Sequence, residues 1–266
     1  MVRVGQRLGK YRLKRRVARG GFGDVFEAYD TIEGICVAVK VPLANLTQEH
    51  LEDFRREVRI TAKLDHPNIL PLKNADFIDG VFAIVQPLGE RSLDERLHVR
   101  SNLVTKLDYI DQMLAGLSYA HEHGIIHCDI KPDNMILFAD GRLRLADFGI
   151  AKFARKTIVG SASGSVGYMA PEQAMGRPSA RSDVFSAGLV IHQLLTGKLP
   201  TWPFAWPPEG WERLKRQHPD LRELVRRSLQ VEARRRYDDA ALMYRAFKRL
   251  KPKAIKYAVD KRARRS

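Results

Sequence analysis

The stretch His127-Cys128-Asp129-Ile130-Lys131-Pro132-Asp133-Asn134, followed by Asp147-Phe148-Gly149, limits what this chain can fold into more than any other feature. Asn134 and Asp147 stand thirteen positions apart. Between them lie Met135-Ile136-Leu137-Phe138, a turn at Asp140-Gly141, and Leu143-Arg144-Leu145. That pattern reads as two short strands of a hairpin. A hairpin returns its ends to one place, so Asn134 and Asp147 are expected to meet at its open end. Asp129 and Lys131 sit just upstream, held out of helix by Pro132, which restricts the residue before it as well. A carboxylate, an ammonium and two oxygen ligands for a hard cation thus converge on one spot.

With 266 residues the chain can bury a substantial core, in one large domain or two lobes. A formal net charge of +15 suggests an acidic partner and says nothing of fold. The two cysteines, Cys36 and Cys128, make no metal-binding spacing and read as reduced thiols. Met1 to Lys14 is basic without an apolar run, so no signal peptide is expected. The longest apolar stretch, Val184 to Leu195, is interrupted by Ser186 and His192 and is too short to cross a bilayer. A soluble, cytoplasmic chain with no membrane segment is the expectation.

Tyr11 to Val17 alternates as a strand and leads through Ala18-Arg19-Gly20-Gly21-Phe22-Gly23-Asp24-Val25-Phe26 into a second strand ending near Tyr29. Glycines at such a tip let backbone N–H groups approach phosphate. Ile35 to Val41 is an apolar strand with one charge, Lys40, which needs a counter-charge or a bound anion. The following helix, Thr47 to Leu64, has Leu51, Phe54, Val58 and Thr61 on its inner stripe. Glu57 projects toward that stripe and is the expected partner of Lys40. Ile69-Leu70 reads as resuming a strand, and Val81 to Val85 as another, left by the extended linker Gln86-Pro87-Leu88-Gly89.

Helices are expected from Ser92 to Leu97, capped by Ser92, and from Leu103 to His121, with Leu107, Ile110, Leu114 and Leu117 on one face. A buried helix capped at Ser182-Asp183 should end at Thr196-Gly197. Thr201 to Pro208 is rich in tryptophan and proline and reads as filler between helices or a docking segment. Further helices are expected near Trp211 to Arg216, Asp220 to Leu229 and Asp238 to Leu250. Beyond Lys251-Pro252 the tail is dominated by Lys and Arg, and reads as a frayed, solvated end or as a docking tail for an acidic partner.

In this order the motifs resemble those of eukaryotic-like (Hanks-type) serine/threonine protein kinases, over roughly residues 9 to 250. Lys131, two residues after Asp129, is similar to the serine/threonine rather than the tyrosine type. Ser165, before Tyr168-Met169-Ala170-Pro171-Glu172, agrees, and Ile150-Ala151-Lys152 resembles the bacterial branch. The resemblance implies an α+β, bilobal protein-kinase fold: a small antiparallel β-sheet lobe with one main helix, and a larger, mostly helical lobe. The expected division is an N-terminal extension (1–8), the N-lobe (9–86), the C-lobe with hinge and activation segment (87–250) and a basic tail (251–266).

It also implies roles. Asp129 would orient or deprotonate a substrate hydroxyl and Lys131 would neutralise charge on the moving phosphoryl group. Asn134 and Asp147 would hold Mg²⁺ or Mn²⁺. Ala18, Gly20, Gly23 and Val25 would cover ATP, Lys40 supported by Glu57 would hold its phosphates, and Gln86 and Leu88 would face adenine. Pro87 has no N–H, so Leu88 N–H is the expected hinge donor. Asp183 would brace the catalytic loop, and Glu172 would pair with Arg236. The substrate would be a serine or threonine of a protein.

Two departures stand out. Ala18 occupies the place of the first glycine. Cys128 replaces the arginine that usually precedes the catalytic aspartate and pairs with a phosphorylated activation loop. Activity is therefore expected not to depend on a phosphate clamped there, whether or not Thr157, Ser161 and Ser163 are autophosphorylated. The rival expectation is a nucleotide-binding pseudokinase scaffold. A nucleic-acid-binding role rests on charge alone, because Tyr257 is the single aromatic in the tail.

Overall fold

In the computed structural model, residues 2–19, 23–42, 48–148, 166–201, 203 and 206–263 are described; within these, the side chains of residues 48–51, 53, 54, 57, 166 and 262 are not. An antiparallel sheet forms the N-terminal part. It contains β1 (Arg7–Leu8), β2 (Tyr11–Arg19), β3 (Gly23–Asp30), β4 (Ile35–Pro42), β5 (Asn74–Ile78) and β6 (Val81–Pro87), in the order β1-β2-β3-β4-β6-β5. Helix α1 (Gln48–Thr61) falls between β4 and β5.

Side chains alternate across a sheet. Phe26, Ala28, Val37, Val39, Val41, Ala83 and Val85 all point to one face, where they pack with Leu8, Tyr11 and Leu13 into a buried core. The opposite face carries a row of directly opposed residues, Ala18–Val25–Lys40–Ile84, with Ala38 opposite Gln86 beside it. The first face forms the main core of the lobe; on the second, Ile84 and Phe82 pack with Val58 and Leu72, and Lys40 stands beside them. Gly23 is tied to this geometry, because a Cβ there would sit 2.3 Å from the Val41 carbonyl oxygen.

The rest is mostly helical: α2 (Leu93–Leu97), α3 (Leu103–Glu122), α4 (Pro171–Ala174), α5 (Ala180–Thr196), α6 (Trp211–Leu214), α7 (Pro219–Ser228) and α8 (Ala240–Ala263). A small sheet of β7 (Arg91–Ser92), β8 (Met135–Leu137) and β9 (Leu143–Leu145) packs against α2 and α3. The expected apolar face of α3 is wholly buried, as is nearly all of α5. Ser92 caps α2 in a reciprocal capping box with Glu95.

Residues 68–70 stitch the two parts together. Leu70 N–H donates to Leu145 O at 2.8 Å, and Leu145 N–H donates to Asn68 O at 2.9 Å. Asn68 Nδ2 also donates to Gln112 Oε1 and Leu143 O, both at 2.9 Å. Gly116 in α3 permits this approach, since a Cβ would lie 2.6 Å from Asn68 O.

Several expectations are corrected. Ile69-Leu70 forms one isolated parallel bridge, Ile69 to Leu145, rather than a strand; Pro71 deprives it of a further donor, and the strand is β5 instead. Strand β6 runs through Pro87, with Gln86 opposite Ala38 and Pro87 opposite Val37, so the linker starts at Leu88. Ser179, not Ser182, is the N-cap of α5, and Ser182 Oγ accepts the Ser179 N–H at 3.1 Å. The tail is not frayed at Lys251. Helix α8 continues through Pro252 to Ala263, across the expected boundary at 250/251.

A proline inside a helix costs about 3 kcal/mol, and tertiary contacts offset it here. Lys251 Nζ lies 2.8 Å from Asp108 and 2.7 Å from Asp111, while Ala254 is buried. Further along, Tyr257 meets His218 edge-on, and Lys261 donates to Arg216 O at 3.1 Å.

Candidate active site

The β8–β9 hairpin pairs Met135 with Leu145 and Leu137 with Leu143. Its open end is closed by Ala146 N–H donating to Asn134 O at 2.8 Å. Asn134 and Asp147 are therefore neighbours, for the reason the hairpin pattern suggests. Asn134 Nδ2 donates to both Asp129 O and Asp129 Oδ2 at 2.9 Å. These two acceptors fix the amide orientation, leaving Oδ1 as the face available to a cation. Lys131 Nζ lies 2.9 Å from the same Asp129 Oδ2.

From β4, Lys40 places Nζ 2.7 Å from Asp147 Oδ1. Burial pushes the Asp147 carboxyl up. The charge and hydrogen bond of Lys40 outweigh it, with smaller help from His127 and Lys131, and hold the group below the usual carboxylate range. The expected partner Glu57 lies in α1, but its side chain is outside the described residues, so that pairing is not part of the observed geometry. Gly20 is likewise outside them. Ala18, Val25 and Gln86 share the sheet face of Lys40, Gly23 opens β3, and Leu88 follows β6 half-buried.

The loop carrying Asp129 is braced from below. Asp183, fully buried at the start of α5, accepts His127 N–H on Oδ2 and Cys128 N–H on Oδ1, each at 2.7 Å. His121 Nε2 is 2.9 Å from Oδ2, and its Nδ1 accepts Ala240 N–H at 3.0 Å, so the ring proton lies on Nε2. His127 follows the same logic. Its Nδ1 accepts Asp129 N–H at 3.2 Å, which directs Nε2–H to Ala146 O at 3.0 Å. Buried against Phe148 at a ring separation of 4.5 Å, it joins the Asp129 loop to the Asp147 turn.

Cys128 and Asp147 both adopt left-handed backbone, with φ of 64° and 62°. Each costs an L-residue about 1 kcal/mol or more, held in place by the surrounding bonds. Glu172 and Arg236 pair as expected, Nη1–Oε1 at 2.7 Å and Nη2–Oε2 at 3.0 Å.

The donor set suits a hard cation that also binds phosphate: one carboxylate, one amide oxygen and open positions. Among the described residues no cluster of three or more His, Cys, Asp or Glu is arranged to hold a metal alone.

The model of the protein kinase domain matches residues 11–248. This chain belongs to the protein kinase domain family. Within that family it is similar to the serine/threonine-protein kinase PknA of Mycobacterium tuberculosis, 37% identical over 213 residues, covering 74% of this chain and 49% of the relative. It is 35% identical over 208 residues to the serine/threonine-protein kinase PrkC of Bacillus subtilis, covering 74% of this chain and 32% of that protein. The chain thus spans half or less of the length of these curated bacterial relatives. The crystal structure of the M. tuberculosis PknI kinase domain superposes with a TM-score of 0.73 at 23% identity, covering 94% of this chain and 99% of that one, which establishes the shared fold. No helix among the described residues is long and apolar enough to cross a membrane.

His121, Gln173 and Ala38 also shape this kinase site and were not singled out by sequence reasoning. Gln173 Nε2 donates to Cys128 O at 2.5 Å. Ala38 was legible in principle, since it alternates with Lys40 in β4. His121 and Gln173 carry no local signal, because their partners lie 62 and 45 residues away.

Proposed function

We propose that this kinase domain transfers the γ-phosphoryl group of ATP to serine or threonine hydroxyls of proteins, with Mg²⁺ as its metal. The observation carrying this is the convergence of Asp129, Lys131 and Asn134 on one hydrogen-bonded knot beside the Lys40–Asp147 pair.

In this reading Asp129 Oδ accepts the proton of the attacking hydroxyl, or holds it in line, while Lys131 Nζ remains beside the transferred group. Lys40 Nζ holds the α- and β-phosphates, with Glu57 as its second partner. Ala18, Gly20, Gly23 and Val25 cover the nucleotide, and the small Ala38 leaves room above the sheet face. Gln86 borders the adenine, and Leu88 N–H donates to its edge. Asn134 Oδ1 and the Asp147 carboxylate would hold Mg²⁺, which when bound neutralises phosphoryl charge.

The test is transfer of labelled γ-phosphate from ATP–Mg²⁺ to the chain itself and to a generic basic protein, with Asp129→Asn and Asp147→Asn alongside. Transfer by the wild type that both substitutions abolish supports the reading, and phosphosite mapping identifies the acceptor residue. Tight nucleotide binding without transfer would refute it in favour of a scaffold.

A further inference from the structure

Helix α8 presents a continuous cationic ridge that the kinase reading does not use. Met243, Phe247, Leu250 and Ala254 fix its inner face in the core, where it packs on α3 and α7. At about 100° per residue, its exposed residues all fall within an arc of roughly 140°.

That arc carries Arg245, Lys248, Arg249, Lys253 and Lys256 over about 17 Å of helix. Its single acid is Asp260, in the last turns. Lys248 and Lys253 have acidic neighbours, Asp111 at 3.9 Å and Asp220 at 3.3 Å. Arg245, Arg249 and Lys256 make no ion pair among the described residues.

We infer that this ridge is a docking surface for an anionic phospholipid bilayer. Three features favour lipid over other anions. The cations occupy the middle of the ridge, and the exposed apolar residues Leu242 and Val259 flank them, Val259 being 60% exposed. Protein interfaces have the reverse order, with aromatic and apolar anchors central and charges at the rim. The arc has no exposed aromatic side chain on which a base of a single-stranded nucleic acid could stack, since Tyr244 and Tyr257 are partly buried. The five cations also share one arc of a single helix, so they can approach a flat anionic surface together. The net charge of +15 adds long-range attraction to such a surface.

The experiment is co-sedimentation of the whole chain with vesicles of phosphatidylcholine alone and of phosphatidylcholine mixed with phosphatidylglycerol. The wild type should pellet with the mixed vesicles only, less so at high salt. Each cation near such a surface strengthens binding about fivefold. Arg245→Gln, Arg249→Gln and Lys256→Gln together should therefore weaken it about 100-fold, leaving phosphotransfer to a soluble peptide unchanged.

Val259→Ser should weaken vesicle binding several-fold, which a purely electrostatic patch would not show. It also keeps the test open if the triple variant folds poorly. Three results would overturn the inference: wild type left in the supernatant with both vesicle types, wild-type binding by a folded triple variant, or equimolar duplex DNA stripping the protein from vesicles while Val259→Ser has no effect.

Discussion

Replacing Asp183 with Asn tests whether the catalytic loop is held from α5. The substitution is isosteric, so packing around this fully buried side chain is kept. If the amide oxygen takes the Oδ2 position, it still accepts from His127 N–H and His121 Nε2–H. The amide nitrogen then faces Cys128 N–H, donor against donor. An orphaned buried donor costs about 1–3 kcal/mol, and two bonds that lose their charge assistance weaken by about 1 kcal/mol each. The expected loss is about 3–5 kcal/mol. For a domain of this size that corresponds to a fall in Tm of about 8–15 °C.

The same bond holds Cys128 at its positive φ. Its loss lets the loop relax, and Asp129 moves with it. A misplacement of about 1 Å at the reacting group can cost about 100-fold in rate. Lys40 is anchored in β4, so kcat should fall far more than KM for ATP rises. Thermal melting with steady-state kinetics is the assay. A Tm within 2 °C of wild type together with kcat within twofold would refute the bracing argument.

Glu172→Gln should cost about 3–5 kcal/mol in urea unfolding, because it leaves the buried Arg236 guanidinium without its counter-charge. Burial raises the Glu172 carboxyl, but Arg236 and Ser182 hold it below its ordinary 4.5. Its contribution is therefore full above about pH 4.5 and fades as pH falls through the lower folded value; the Gln variant should show a shallower acid-unfolding slope. Gly116→Ala should destabilise by about 1–3 kcal/mol despite better helix propensity, because its Cβ meets Asn68 O; a rise in Tm would contradict this. With Cys128 offering no guanidinium to a phosphate, joint replacement of Thr157, Ser161 and Ser163 by Ala should leave turnover within about twofold. A large loss would show that phosphate is read elsewhere.

Much of this protein is determined locally. Alternation sets β2, apolar runs set β4 and β6, the spacing of Leu107, Ile110, Leu114 and Leu117 sets the buried face of α3, and the Asp140-Gly141 turn brings Asn134 to Asp147. Short-range sterics and burial suffice for these, which is why the elements and their order were legible. Tertiary structure decided what depends on distant partners. It set Lys40 against Asp147, 107 residues away, and hung the loop on Asp183 and His121. It also carried α8 through Pro252, where local propensity predicts a break and the packing of Ala254 together with the Lys251 bridges offsets it. A hydrogen bond or ion pair acts over about 3 Å of space, and distance along the chain does not enter, so local pattern does not encode these contacts; the Asp183 brace was expected through the family resemblance alone.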